Sequence, residues 1–193
     1  MTMKFPFLVT CAAIFALSAC QTSGVMARLS GKSSKPNEGP CPHALVLADA
    51  ARKIQIGEPQ TYPNVGFTGE ILSVRSFCTY VGEDPIRADL VIDFAFGRGP
   101  AAQGYQMDYP YFVAVTRKDR AVISKQVYAL PIRFNDTNRI VRKTEKFASI
   151  TIPRKQQDTS GANFEIIIGF DLNEAELAFA RSGRRFRVDA GSQ

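Results

Sequence analysis

Short segments in which large apolar side chains occupy every second position constrain the fold of this 193-residue chain more than any other feature. The clearest is Ala88–Phe96 (ADLVIDFAF), and the same spacing recurs in Val122–Phe134 and Phe164–Leu172. Period two is the repeat of a β-strand that buries one of its faces. The sequence therefore predicts a mainly β protein.

Further strands are predicted from β-branched and aromatic content in Tyr109–Thr116 and Ile140–Ile152. A turn at Lys118-Asp119-Arg120 predicts that Tyr109–Thr116 pairs with Val122–Phe134 as a hairpin. In Val65–Val81 the apolar residues change parity at Ile71–Leu72, which predicts a β-bulge there.

One segment fits both a strand and a helix, and another places basic side chains among its apolar ones. The segment Leu45–Ile56 (LVLADAARKIQI) is compatible with an edge strand or a short helix. In Ile140–Ile152, Arg142 and Lys146 share a parity with Ile140 and Ile150, which predicts an edge strand protected by charge.

One helix is predicted after the last strand. Asn173 can cap its start, with Glu176 three residues later as in a capping box, and Gly183 can end it. Leu177 and Phe179 would supply its apolar contacts. About seven strands with frequent turns and one C-terminal helix predict an antiparallel, immunoglobulin-like β-sandwich, with an open barrel as the alternative.

The amino terminus has the order of an export signal. After Lys4, the segment Phe5–Ala19 carries no charged residue and is shorter than the about 20 residues that span a bilayer. A short basic start followed by such a run is typical of a secretory signal peptide.

The run ends on Leu17-Ser18-Ala19-Cys20, which resembles the lipobox of bacterial lipoproteins. The resemblance implies cleavage before Cys20, lipid on that cysteine, and anchoring to a membrane on its periplasmic face. Gln21 stands where an Asp would imply retention in the inner membrane, so the resemblance favours the outer membrane. The alternative is a buried amino-terminal helix with an ordinary cysteine.

These features divide the chain into four parts. Residues 1–19 are the predicted signal peptide, and residues 20–40, rich in Ser, Gly, Lys and Pro, form a lipidated flexible linker. The β-sandwich is expected over residues 41–182, followed by a basic tail over residues 183–193.

The four cysteines sort by position. Cys11 lies in the signal peptide and Cys20 in the lipobox, which leaves Cys41 and Cys78 for an oxidising compartment. We therefore predict a Cys41–Cys78 disulfide, with two separate buried thiols as the alternative. Because the chain has one histidine and no CxxC spacing, we predict no metal site and no cofactor.

Two segments, Tyr111–Val115 (YFVAV) and Ile166–Arg181 (IIIGFDLNEAELAFAR), together resemble an uncharacterised family of envelope lipoproteins from alphaproteobacteria. The resemblance would cover Cys41 to Arg181. It implies a fold and a cellular address, and it transfers no activity and no functional residue.

Residues for catalysis are few. His43 is the single imidazole, and no GxSxG motif is present. Asp89 and Asp93 lie four apart on a strand and so share a face, where paired carboxylates can do acid–base work; the favoured interpretation is the solvated outer face of an antiparallel sheet. The glycine-rich segment Gly97–Gly104 lacks the context of a phosphate cradle, and we interpret it as an inter-strand loop that could bind a ligand.

Basic residues gather near the carboxyl end. Arg181, Arg184, Arg185 and Arg187 surround Phe186 in a segment predicted to be a mobile tail, which suggests contact with an anionic lipid or glycan; a solvated tail is the alternative. The net charge of +6 is smaller than that of dedicated nucleic-acid binders, and we predict no nucleic-acid partner.

These observations lead to two functional hypotheses. The first is a noncatalytic binding or scaffolding module of the cell envelope that engages anionic lipid, glycan or another envelope protein. The second is a periplasmic enzyme that uses Asp89, Asp93 or His43.

Overall fold

The computed structural model describes residues 39–80, 85–118, 121–154 and 159–186. The predicted signal peptide, Cys20, nearly all of the linker, and Arg187 lie outside the described residues, so the predictions about them stay predictions.

Eight strands and one α-helix make up the described domain. The strands are β1 (His43–Val46), β2 (Arg52–Ile56), β3 (Val65–Thr79), β4 (Ile86–Arg98), β5 (Gln106–Arg117), β6 (Val122–Arg133), β7 (Ile140–Ile152) and β8 (Phe164–Phe170), and the helix is α1 (Glu174–Arg181). Short 3₁₀ turns cover Ala48–Ala50, Tyr62–Asn64 and Gly161–Asn163. The segment Leu45–Ile56, left open between an edge strand and a short helix, contains the end of β1 and all of β2, which are edge strands of different sheets joined through the 3₁₀ turn at Ala48–Ala50.

The strands form two four-stranded sheets packed as a sandwich. The first sheet has the order β1-β8-β5-β6 and the second the order β2-β3-β4-β7. All neighbours are antiparallel except β1 and β8, which run parallel. The mainly β, sandwich prediction is confirmed.

The strand order follows the immunoglobulin pattern through its centre. Strands β4, β5, β6, β7 and β8 pair as immunoglobulin strands B, C, C′, E and F do, and β3 lies beside β4 as strand A lies beside B. At the position of strand G, however, β1 pairs with β8 in parallel. This edge of the first sheet is therefore formed by the first strand of the domain and not by its last.

Three register shifts interrupt the second sheet, one of them between β2 and β3 at Ile54 and Ile56. The β3–β4 pairing shifts register between Ile71 and Ser73, which confirms the predicted bulge. The β4–β7 pairing shifts between Leu90–Phe147 and Ala88–Ile150. Strand β7 lies at the edge of its sheet, as predicted. The prediction that Ile140 and Ile150 share a face is wrong, because the register shift between them turns Ile150 toward the core and leaves Ile140 on the Arg142 side.

The centre of the sandwich is aromatic. The centres of the Phe96 and Tyr109 rings lie 4.3 Å apart, and the Phe94 ring contacts the rings of both Tyr111 and Phe170. The buried Tyr109 hydroxyl donates to the Thr68 carbonyl oxygen at 3.0 Å. Burial raises the pKa of Tyr109 far above its ordinary value, so the phenol stays a neutral donor that ties β5 to β3 across the sandwich.

Two sets of contacts hold the residues just before β1 against the rest of the domain. Cys41 and Cys78 form the predicted disulfide, with an S–S distance of 2.03 Å, and it joins the start of β1 to the end of β3. The buried Tyr80 hydroxyl donates to the Pro40 carbonyl oxygen and accepts from the Gly161 N–H, both at 2.6 Å. A side chain at Gly161 would collide with Pro40 and Tyr80, which explains the glycine there.

Helix α1 closes the edge beside β2. The predicted capping box of Asn173 and Glu176 is present, and Gly183 ends the helix with a φ of 74°. Lys53 of β2 donates to both carboxylate oxygens of Glu176 at 2.6 Å, and this pair is largely shielded from solvent. Phe179 is buried in a second, smaller apolar cluster with residues of β2 and β3.

Candidate interaction surface

The residues predicted as an alternative catalytic site do not lie together. His43 is exposed at the start of β1, in the first sheet. Asp89 and Asp93 lie on the outer face of β4, in the second sheet. Since the outer faces of a sandwich point in opposite directions, His43 and these carboxylates cannot act on one substrate.

The carboxylate of Asp93 accepts hydrogen bonds from three neighbouring side chains. The Ser73 and Thr144 hydroxyls each donate to it at 2.7 Å, and Arg75 donates at 2.9 Å. These bonds, led by those from Ser73 and Thr144, hold the pKa of Asp93 below its ordinary value. A carboxylate stabilised in this way is a weak general base, and its contacts tie β3, β4 and β7 together.

The glycine-rich loop between β4 and β5 is fastened to β3. The N–H of Gly99 donates to the Gly66 carbonyl oxygen at 2.6 Å, and that of Ala101 to the Val65 carbonyl oxygen at 2.9 Å. The Arg98 side chain, at the start of the loop, reaches the far end: its guanidinium lies 4.3 Å from the centre of the Tyr105 ring and donates to the Gly104 carbonyl oxygen at 2.8 Å. These contacts favour a structural role for the loop.

The arginines near the carboxyl end are partly engaged. Arg181 pairs with Asp49 at 3.0 Å, and the Arg184 guanidinium lies over the Phe179 ring. Phe186, predicted to lie in a mobile tail, instead stacks on Phe179 with 6.3 Å between ring centres. The chain therefore continues to contact the domain past the predicted start of the tail at Gly183.

This carboxyl-terminal segment borders a small cleft of about 80 Å³ beside β2 and β3. Arg52, Arg184 and Arg185 line it together with Thr68. Glu70 offsets Arg52 through an ion pair of 2.8 Å. The cleft has room for a single small group, and its remaining charge is positive.

The outer face of the first sheet is the largest feature that sequence reasoning missed. In β8, Ile166, Ile168 and Phe170 are buried in the core, so the residues between them point outward. We call this surface the docking face and define it by its outward positions: Leu45 on β1 and Leu47 just past it, Ile167 and Gly169 on β8, Phe112, Ala114 and Thr116 on β5, and Val122, Ile123, Lys125, Val127 and Ala129 on β6.

The docking face is mainly apolar, with exposed residues at its two edge strands and buried small residues, Ala114, Thr116 and Gly169, in its middle. Val122 is 65% exposed, Val127 53% and Leu47 44%, whereas Phe112 and Ile167 are half-buried between them. Gly169 is covered by Ala50 and by the Phe112 ring: a side chain there would approach the Ala50 Cβ to 2.7 Å and the ring to 2.9 Å. Contiguous apolar surface of this kind on an outer sheet face is typical of an interaction site.

Charged and polar groups lie both within and around the apolar centre. Lys125 lies on the β6 side, with its ammonium 4.6 Å from the Phe112 ring centre and 4.0 Å from the Asp171 carboxylate. His43 and Glu165 lie at the opposite end. Near that end the Thr116 hydroxyl is buried and has no hydrogen-bond partner among the described residues. An apolar centre with a polar rim is the general plan of a protein interface.

Sequence patterns missed this face because both sides of its strands are apolar. The run Ile166–Ile168 contributes to the core and to the outer surface alike. The signal was present in the outward positions of β5, β6 and β8, but the inward positions of the same strands are equally apolar. Period two identifies a strand without saying which face stays uncovered.

Among the described residues, no helix is long and apolar enough to cross a membrane, and no group of three or more His, Cys, Asp or Glu side chains could hold a metal ion. No known protein family, curated protein or solved structure matches this chain. The resemblance to alphaproteobacterial envelope lipoproteins stays a prediction.

Proposed function

We propose that this protein is a lipid-anchored module of the bacterial cell envelope that binds a partner through the docking face and performs no catalysis. The exposed apolar surface centred on Phe112 and Val127 is the observation that carries the proposal. Apolar surface of this kind is typical of contact with a partner, and one cation, Lys125, lies over the Phe112 ring within it.

Anchoring follows from the lipobox-like segment Leu17–Cys20. Acyl chains on Cys20 would hold the domain at the periplasmic face of a membrane, preferably the outer membrane. A flexible linker over residues 20–40 has a root-mean-square reach of about 25 Å, which lets the domain meet partners near the lipid surface. Another envelope protein is the partner that an apolar sheet face suits best.

An anionic ligand is the second candidate, and the arginine-lined cleft favours it. Arg184 and Arg185 border a cavity that could receive one phosphate or carboxylate group of a lipid or glycan. We rank this candidate lower, because Arg181 and Arg184 already have partners within the domain. The enzyme hypothesis ranks lowest, since Asp93 is engaged and His43 belongs to the other sheet.

Palmitate labelling in cells tests the anchor. We expect label on the wild type and none on Cys20→Ser, with the mature chain beginning at Cys20. Equal labelling of both chains would refute the lipid assignment.

Hydroxyl-radical footprinting tests the face. Oxidation of Phe112 should fall in intact cells relative to the purified soluble domain, because a bound partner shields it. Phe77, 60% exposed on β3 of the second sheet, is the matched control and should be oxidised equally in both. Equal oxidation of Phe112 in the two samples would contradict binding at this face.

A further inference from the structure

The arginine-lined cleft forms where the chain folds back past helix α1. Gly183, which has a φ of 74°, ends the helix, and Arg184 and Arg185 then line the cleft beside β2 and β3. Phe186 follows them and stacks on the buried Phe179 ring. An aromatic contact at the end of this segment therefore holds the two arginines at the outer face of the second sheet.

The two arginines carry charge that the domain does not neutralise. Arg52 and Lys53 of β2 also border the cleft, but each is paired with a glutamate carboxylate, at 2.8 and 2.6 Å respectively. Arg184 instead donates to two uncharged side chains, and Arg185 has no ion-pair partner among the described residues. Both positive charges therefore border the cleft without a carboxylate partner in the described part of the chain.

A buried hydroxyl lies at the same cleft. Thr68 of β3 lines the cleft and is 7% exposed. Its side chain is on the outer side of the sheet, because the neighbouring Phe67 and Gly69 face the core. The Thr68 carbonyl oxygen accepts from Tyr109, but its hydroxyl has no hydrogen-bond partner among the described residues. Because buried hydroxyls are ordinarily hydrogen-bonded, this one favours a ligand that brings an acceptor atom into the cleft.

We propose that the cleft binds a phosphate monoester. This names the ligand class for the second candidate of the proposed function and so rests on that candidate, whereas the docking face lies on the other sheet. Guanidinium N–H groups and the Thr68 hydroxyl can all donate into the cleft. A group that consists of acceptor oxygens is therefore the ligand that they suit.

The charge of the cleft selects among such groups. A phosphate monoester carries a charge of about −1.5 to −2 near pH 7 and three acceptor oxygens, so it can engage both arginines and the hydroxyl together. A carboxylate or a phosphodiester carries a single charge and leaves one arginine uncompensated. The volume of about 80 Å³ has room for the phosphate group alone, with the remainder of the ligand outside. Some lipid headgroups and soluble sugar phosphates end in this same group.

Calorimetric titration of the full chain, reconstituted in neutral phosphatidylcholine vesicles, tests the ligand class. Methyl phosphate is the monoester probe, and dimethyl phosphate, which is similar in size and carries one charge, is its matched control. Methyl phosphate should bind, and dimethyl phosphate should bind at least about tenfold more weakly, because it satisfies one arginine. Absence of methyl phosphate binding, or equal binding of the two probes, overturns the proposal.

Three substitutions test the residues. Arg184→Gln and Arg185→Gln should each raise the Kd for methyl phosphate about tenfold, and Thr68→Val, which keeps the side-chain shape, about fivefold. Arg181→Gln is the control and should bind as the wild type does, because Arg181 pairs with Asp49 and does not line the cleft. A cooperative urea transition shows that each variant has folded. An equal loss of binding in Arg181→Gln would reduce the effect to overall charge and overturn the site.

Lipid composition identifies the source of the phosphate group. Phosphatidic acid ends in a monoester, and phosphatidylglycerol, a diester, is the control at equal surface charge. If a lipid headgroup occupies the cleft, phosphatidic acid in the vesicles should raise the apparent Kd for methyl phosphate more than phosphatidylglycerol does. Equal effects of the two lipids, with binding of glucose 6-phosphate, identify a soluble phosphate monoester as the ligand.

Either source supports the cleft as a phosphate site, and a chain that responds to neither phosphatidic acid nor glucose 6-phosphate overturns it. Failure of the phosphate proposal is distinguishable from failure of the docking face. The oxidation of Phe112 reports on the first sheet, and the cleft lies on the second.

Discussion

Removal of the Cys41–Cys78 bond should lower the free energy of unfolding substantially. The bond closes a loop of 37 residues between the start of β1 and the end of β3. In the chain-entropy relation, a loop of that length restricts the unfolded chain enough to stabilise the fold by about 3.8 kcal/mol at 25 °C. That is a large share of the 5–15 kcal/mol typical of a whole domain.

Urea denaturation of the soluble domain measures this loss. With an m-value of about 2 kcal/mol per molar urea, the midpoint for Cys41→Ala/Cys78→Ala should fall by about 2 M. The wild type under reducing conditions is the matched control, because it keeps both sulfurs and loses only the bond. If the double variant falls but the reduced wild type does not, the loss comes from truncated side chains and not from the loop.

The same perturbation should act locally on β1. This strand has four residues and pairs only with β8, immediately after the disulfide. Without the bond, amides of Ala44 and Val46 should exchange hydrogen faster than those at the centre of β5. A midpoint shift below about 0.5 M, or unchanged exchange in β1, would refute the reasoning.

Three further predictions follow from named contacts. Tyr80→Phe should cost about 1–3 kcal/mol in urea unfolding, because the buried Gly161 N–H loses its acceptor; an unchanged midpoint would contradict this. The pKa of Asp93 is depressed in the folded state, so its stabilising contribution is complete above the ordinary value of 3.8 and is lost as pH falls through the folded pKa. The stability difference between wild type and Asp93→Asn should therefore shrink below about pH 4 in acid titrations followed by circular dichroism, and a constant difference would count against the hydrogen-bond assignment. Replacing Arg181, Arg184, Arg185 and Arg187 with Gln should abolish any salt-sensitive preference of the soluble domain for anionic over neutral vesicles, since each cation near such a surface contributes about 1 kcal/mol; a wild type without that preference would eliminate the anionic-surface candidate.

The sequence by itself determined the local elements of this protein. Alternation placed β4, β6 and β8, the parity change at Ile71–Leu72 located the bulge, and the Asn173–Glu176 spacing identified the helix start. Each is a short-range pattern, because strand period and capping depend on residues within a few positions of each other. The disulfide was predictable for another reason: two cysteines remained once Cys11 and Cys20 were assigned to the predicted signal peptide and lipobox.

Only the tertiary structure decided how these elements combine. The parallel entry of β1 beside β8 and the engagement of Asp93 by Ser73 and Thr144 arise between residues far apart in the chain. Phe186 packs on Phe179 because a cluster from β2 and β3 provides an apolar surface there. Local patterns contain none of this, since burial depends on which surfaces meet.

The docking face shows the same division. Apolar residues alternate through β5, β6 and β8 on both parities, so the sequence marks strands without marking their inner side. The second sheet covers one side, and on the other Leu47, Val122 and Val127 stay exposed while Phe112 and Ile167 are half-buried. The surface exists because a two-layer sandwich buries one face of each sheet, and here the uncovered face is apolar as well.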